Sequence, residues 1–343
     1  MKKKIAILGS TGSIGTTSLN IFKKNKNKFD IILLAANRNY SLICKQIKVF
    51  KPKYYIISDE LVFKKVKKKY KNTKIKIYNN FSDLNFKKKK FDITISSIVG
   101  IAGLSPTIKF VKYSKKILLA NKETIICGWH LVKNLSKSHK TKIIPVDSEH
   151  FSIDQLTRNY KDTDIEKIYL TASGGPFLNK PLKSFKSIKA SDAIKHPKWK
   201  MGKKISIDSS NLMNKVLEII EAYRLFPFKI DKYEIIIHPQ SLVHAIVHFK
   251  NGQTRFLYHE TDMKIPISNA IFENDFDHKN FIYPKKDILK KFENLQFIKV
   301  DKKRFPIVTL LKKFSNNNSG PIILNASNET LVSKFIKGKI SFN

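Results

Sequence analysis

Ile5-Ala-Ile-Leu-Gly9-Ser-Thr-Gly12-Ser-Ile-Gly15, near the start of the 343-residue chain, decides the fold of its first part. An apolar run passes directly into three glycines three residues apart. Glycine at a crossing from strand to helix lets the backbone turn tightly and come close to a pyrophosphate, whose charge is met by free amides at the helix N-terminus. Outward from this loop, short apolar runs recur between Lys-rich amphipathic stretches: Ile31 to Ala35, Tyr54 to Ile57, Ile75 to Tyr78, Ile93 to Ser96, Ile117 to Leu119 and Ile143 to Val146. This alternation predicts repeated βα units and a doubly wound, Rossmann-like parallel sheet over residues 1–150.

The pattern then loosens. Ile168 to Thr171, Tyr233 to Ile237 and Leu242 to Phe249 read as strands, and Asn211 to Leu225 as a helix with apolar residues at helical spacing. The fold class is therefore α/β: the N-terminal sheet domain, an α+β catalytic domain over 151–290, a linker over 291–304 and a shortened C-terminal helical region over 305–343.

Composition narrows the function classes. Hydrophobic residues at 42% support a folded core, and no apolar stretch reaches the ~18 residues of a membrane span. Lys+Arg outnumber Asp+Glu by 66 to 27, a net charge of +39 that would attract phosphates and nucleic acid alike. Yet only Arg38, Arg158, Arg224, Arg255 and Arg304 are arginines, the residue that best reads bases, and the lysines are scattered. The expectation is a basic solvated surface with no specific nucleic acid and no membrane partner. Cys44 and Cys127 are too few for a disulfide framework and fit the cytoplasm.

Two sites follow from residue chemistry. After the second apolar run the chain reads Ala36-Asn37-Arg38-Asn39, without the carboxylate that usually holds the ribose hydroxyls of NAD. An arginine there favours the 2′-phosphate of NADPH. Further on, Asp147 and Glu149 are two apart at the end of an apolar run, so on extended backbone both carboxylates face one side. Asn214, Lys215, Glu218 and Glu221 lie three or four residues apart on one helix face. Converging carboxylates call for a hard cation that prefers oxygen ligands.

Several strings occur together and in order: Gly9 to Gly15, Leu119-Ala-Asn-Lys-Glu-Thr124, Pro145 to His150, Thr171 to Phe177, His196-Pro-Lys-Trp-Lys-Met-Gly202, Lys204 to Ser209, Leu212-Met-Asn-Lys215 and Ile237-His-Pro-Gln-Ser241. Through them the chain resembles the 1-deoxy-D-xylulose 5-phosphate reductoisomerases along nearly all its length. The resemblance implies NADPH-dependent conversion of 1-deoxy-D-xylulose 5-phosphate to 2-C-methyl-D-erythritol 4-phosphate, in the non-mevalonate isoprenoid route, by a homodimer. It implies that Asp147, Glu149 and Glu218 hold Mg²⁺, Mn²⁺ or Co²⁺, with Lys122 and Ser148 at the reacting hydroxyls. Ser173, His196, Ser209, Asn214 and Lys215 would take the phosphate, and Trp199 would cover the substrate. Thr11, Gly12, Ser13, Ile14, Asn37, Arg38, Asn39, Asn121, Glu123, Met201, Gly202 and Met263 would border the cofactor. Another NADPH-dependent dehydrogenase, of the semialdehyde or homoserine type, is the alternative. The chain departs from the pattern at Val216, where a glycine is usual, and in Tyr258-His-Glu-Thr-Asp262-Met263, which lacks the usual glycine and proline. Further C-terminal helices would also be expected.

Overall fold

The computed structural model describes residues 1–86, 90–195, 197–199, 202–273, 291–314 and 319–342. They form two compact units, 1–147 with 263–273 and 148–262 with 291–342.

The first unit is built on seven parallel strands: β1 (Lys3–Leu8), β2 (Phe29–Ala36), β3 (Tyr54–Ile57), β4 (Lys76–Tyr78), β5 (Phe91–Ser96), β6 (Ser114–Leu119) and β7 (Lys142–Pro145). All seven apolar runs are strands, with ends shifted by at most three residues. Helices α1 (Ser13–Lys24), α2 (Tyr40–Phe50), α3 (Glu60–Lys69), α4 (Leu104–Val111) and α5 (Lys122–Ser138) connect them. The sheet order is β4-β3-β2-β1-β5-β6-β7, so the winding reverses beside β1. Ile5 and Ile7 enter one core layer and Ala6 and Leu8 the other, because successive side chains point to opposite faces. All four are fully buried, which explains why a strand covered by helices on both sides is apolar without alternation.

The second unit opens with α6 (Ser148–Thr157), and its mixed sheet has the order β11-β10-β8-β9-β12. β8 (Ile165–Ala172) and β9 (Tyr233–Ile237) run parallel, whereas β10 (Val243–Phe249) is antiparallel to β8 and to β11 (Thr254–Tyr258). Between β8 and β9 lie α7 (Ala190–Ala193), α8 (Lys203–Ser210) and α9 (Met213–Leu225). Ile153 of α6 and Ile219 and Ala222 of α9 pack on Ile168, Leu170, Ala245 and Val247, giving the unit its own core. After β11 the chain returns to the first unit as α10 (Lys264–Phe272), whose Ile267 and Ile271 join the cluster around Ile5 and Ile7. The stretch read as a linker contributes β12 (Ile298–Lys299), paired antiparallel with β9. A helix over Ser319–Ile336 completes the second unit. No described helix is long and apolar enough to cross a membrane.

Candidate active site

The glycine loop stands where the winding of the first sheet reverses, the place at which open α/β sheets bind ligands. Gly9 has φ +91°, and a Cβ there would come within 2.6 Å of the Ser97 carbonyl oxygen, so only glycine fits. A Cβ on Gly15 would sit 2.7 Å from the Ser10 Cα, so α1 can start only this close to the loop without a side chain. Gly12 caps α1 with no side chain accepting from its first amides and no acid in its first turn. Gly12 and Ser13 are exposed and Thr11 and Ile14 half-buried, which leaves a positive helix end open to an anion.

Asn37, Arg38 and Asn39 are exposed after β2. Asn39 also caps α2 by accepting from the Leu42 amide at 3.1 Å. Asn121 is buried and engaged within the protein: its Oδ1 accepts from the Thr124 amide at 2.7 Å, and its Nδ2 donates to the Ile98 and Gly100 carbonyls at 2.7 and 2.9 Å and to Glu123 at 3.1 Å. These bonds fix the start of α5, where Lys122 is half-buried. Met263 is half-buried, and Gly202 caps α8. His196 and Met201 lie outside the described residues.

The carboxylates meet, although by a different local geometry from the one expected. β7 ends at Pro145 and α6 begins at Ser148, so Glu149 lies in a first helical turn, favourable for an acid, and not on extended backbone. Asp147, which closes the first unit, is one residue from the start of α6. One carboxylate oxygen from each of Asp147, Glu149 and Glu218 lies within 4.8 Å of the others. Lys215 Nζ is 2.5 Å from Glu149 and 2.6 Å from Glu218, and Asn214 Nδ2 donates to Glu218. Ser148 Oγ donates to Glu149 at 2.5 Å. Burial works against the charge on Lys215, but the Glu149 and Glu218 carboxylates more than offset it and hold its pKa above the ordinary lysine range. Glu221 is buried on the same helix, outside this group.

Ligand oxygens about 2.0–2.1 Å from Mg²⁺ stand roughly 3 Å apart when adjacent and ~4.2 Å apart when opposite. The 4.8 Å spread is close to those spans, and the donors are all oxygens, so the set fits a small divalent cation.

Two features bring the rest of the site together. Gly175, at φ +70°, lies so near α8 that a Cβ would meet the Ser210 Cα at 2.8 Å and the Ser209 carbonyl oxygen at 2.9 Å. The turn after β8, with Ser173 Oγ accepting from the Gly175 amide at 3.2 Å, thus rests on the end of α8 that carries Ser209. Leu212 then adopts φ +65°, a costly conformation for a non-glycine residue, held by burial of its side chain with Ala172, Ile237 and Phe305. It turns the chain from α8 into α9 and presents Asn214 and Lys215 in the first turn.

Trp199 is half-buried, edge-on to His244 with ring centres 6.0 Å apart. Val216 is fully buried. Residue reading assigned no role to His150, yet its Nε2 donates to the Glu218 carbonyl at 2.9 Å and ties α6 to α9. The signal available was only its place beside Glu149. Among the described residues His238, His244 and His248 belong to no group of three or more metal-ligating side chains, in keeping with structural roles.

Comparison with known proteins completes the site description. Residues 5–128 match the model of 1-deoxy-D-xylulose 5-phosphate reductoisomerase, 143–226 that of its C-terminal domain and 259–343 the DXP reductoisomerase C-terminal domain. The 1-deoxy-D-xylulose 5-phosphate reductoisomerase of Pelagibacter ubique (strain HTCC1062) is 48% identical, over 99% of this chain and 88% of the relative. That of Wolbachia sp. subsp. Drosophila simulans (strain wRi) is 41% identical, over 99% and 87%. The Zymomonas mobilis reductoisomerase in complex with NADPH superposes with a TM-score of 0.88 at 30% identity, over 100% of this chain and 89% of that one. A DOX-P reductoisomerase in complex with NADPH, fosmidomycin and magnesium gives 0.90 at 32%, over 99% and 86%.

Proposed function

The chain belongs to the 1-deoxy-D-xylulose 5-phosphate reductoisomerase family, and from that membership and its site we infer that it converts 1-deoxy-D-xylulose 5-phosphate to 2-C-methyl-D-erythritol 4-phosphate with NADPH and a divalent cation. This is a step of non-mevalonate isoprenoid synthesis. The observation that carries the reading within the chain is the meeting of Asp147, Glu149 and Glu218 beside Lys215. Identity of 48% and 41% to two named reductoisomerases over 99% of the chain favours this reading over a semialdehyde or homoserine dehydrogenase.

In this reading the first unit binds NADPH through the glycine loop and Arg38, and the second binds substrate. When bound at Asp147, Glu149 and Glu218, the cation supplies Lewis-acid polarisation of the substrate carbonyl, and NADPH supplies the hydride. Ser148 orients Glu149 through its hydroxyl. Ser173 and Ser209, brought close by Gly175, donate to the phosphate together with Asn214. Lys215, which here balances Glu149 and Glu218, would be the ammonium available to the phosphate dianion. Lys122 meets the reacting hydroxyls, and Trp199 excludes water. Asn121 acts by fixing the start of α5. The assembly is a cytoplasmic homodimer in this reading; neither cysteine is in a disulfide, and β11 offers an edge strand on which Phe256 is exposed.

The test is NADPH absorbance in the presence of 1-deoxy-D-xylulose 5-phosphate and Mn²⁺, with the product identified by mass spectrometry. Oxidation that stops on chelation and is lost in Glu149→Gln supports the reading; folded protein that leaves NADPH untouched refutes it.

A further inference from the structure

The segment from Tyr258 to Met263 carries an imidazole, that of His259, into the second unit. His259 is buried, with 6% of its surface exposed, and stacks on His244 of β10, itself 2% exposed, with ring centres 3.7 Å apart and planes within 15°. His244 Nε2 donates to the His259 carbonyl at 3.1 Å, and His259 Nδ1 donates to the Glu260 carbonyl at 2.7 Å, so each ring is held in one tautomer and one orientation. Trp199 meets His244 as well, edge-to-face with ring centres 6.0 Å apart. His259 also packs against Phe151 of α6, the helix whose first turn carries Glu149, at 6.1 Å.

The segment is anchored around this ring. The His259 amide donates to the Leu242 carbonyl at 2.9 Å, Tyr258 packs edge-on against Phe292 at 5.2 Å, and Glu260 pairs with Lys291. A flat ring at van der Waals distance from another, both buried, restricts the second ring to a narrow range of tilts. A further ring packed against that second ring inherits the restriction.

We propose that His259 is a positioning residue for the substrate site, fixing the His244 ring and through it the resting place of Trp199, while bracing α6 through Phe151. The proposal rests on the reading of Trp199 as the residue that covers the substrate. His259 touches no reacting group in this account. Its loss therefore weakens substrate capture more than the chemical step.

The experiment compares the full-length protein with His259→Gly and His259→Phe, measuring KM and kcat for 1-deoxy-D-xylulose 5-phosphate with NADPH and Mn²⁺. Trp199 emission is read in a Trp129→Phe background, since Trp129 and Trp199 are the two tryptophans. His259→Gly is expected to raise KM on the order of tenfold with a smaller change in kcat, and to move Trp199 emission to longer wavelength. His259→Phe, which keeps the ring, should return both toward the parent. Parent-like KM and emission in folded His259→Gly overturns the proposal, as does an equal KM rise in both variants. Should the glycine variant not fold, His259→Asn takes its place against His259→Phe, with the same two readings. If the parent protein does not turn over, the functional assignment fails, and the emission comparison alone then decides the positioning role.

Discussion

At the scale of single residues, the site turns on what surrounds Glu218. Its side chain is nearly inaccessible, its carboxylate is shared between Lys215 and Asn214, and its main-chain carbonyl accepts from His150. Under the proposed reading the last contact makes His150 a determinant of cation binding, because it ties α6 to α9 at Glu218. His150→Leu should weaken Mn²⁺ binding about 10- to 100-fold, as measured by Mn²⁺ titration followed by electron paramagnetic resonance. Unchanged affinity would show that the two helices need no such tie. Asp147 and Glu149 stood out in the sequence as a closely spaced pair, but their grouping with the distant Glu218 came only from the family resemblance, and the extended backbone expected for the pair is a helical turn at Glu149. His150 was not legible, since its partner is a backbone atom 68 residues away. Leu212 was equally hidden: nothing in a leucine announces a left-handed backbone enforced by tertiary packing.

At the scale of elements, the parallel strands were the most legible part, because a strand buried on both faces must be a continuous apolar run. The exposed edge strand β11 and the two-residue β12 carry little apolar signal and were missed, as was the helical start at Ser148, where an apolar run crossing the β7 boundary suggested extended backbone. The approach of the β8 turn to α8 could not be read either, although it explains why glycine occupies position 175. Gly175→Ala should force the turn off Ser209 and Ser210 and raise KM for the substrate roughly tenfold or more, with kcat less affected. Steady-state kinetics on folded variant protein would check this. An alanine variant with parental KM would mean that Ser173 and Ser209 do not act together. The C-terminal helix supports the same region: Asn328 Nδ2 donates to the buried Asp208 at 2.9 Å, one residue before Ser209, and Lys204 pairs with Asp208 at 2.9 Å.

At the scale of the whole molecule, charge governs response to conditions. With +39 net charge, self-repulsion opposes the compact state, so added salt that screens without binding should raise Tm, measurable by differential scanning calorimetry. Acid should act in the opposite direction through His244 and His259. Burial, then the neighbouring His259 ring, pushes the His244 pKa down to about 3 from its ordinary 6.5, and burial lowers that of His259 as well. Above pH 6.5 both rings are neutral whether the chain is folded or not, and they cost nothing. As pH falls below 6.5 the unfolded chain takes up protons that the folded one refuses, so stability declines. Denaturant midpoints measured between pH 7 and pH 5 should fall accordingly, and less steeply in His259→Phe. The proposed function adds one requirement of its own, that the three carboxylates form a single cation site on which turnover depends. The most direct measurement counts Mn²⁺ bound per chain and follows substrate-dependent NADPH oxidation in the same samples, for the parent and Glu218→Gln. One Mn²⁺ per chain in the parent, with binding and turnover lost together in the variant, is the expected result; turnover that survives in metal-free Glu218→Gln would contradict the account.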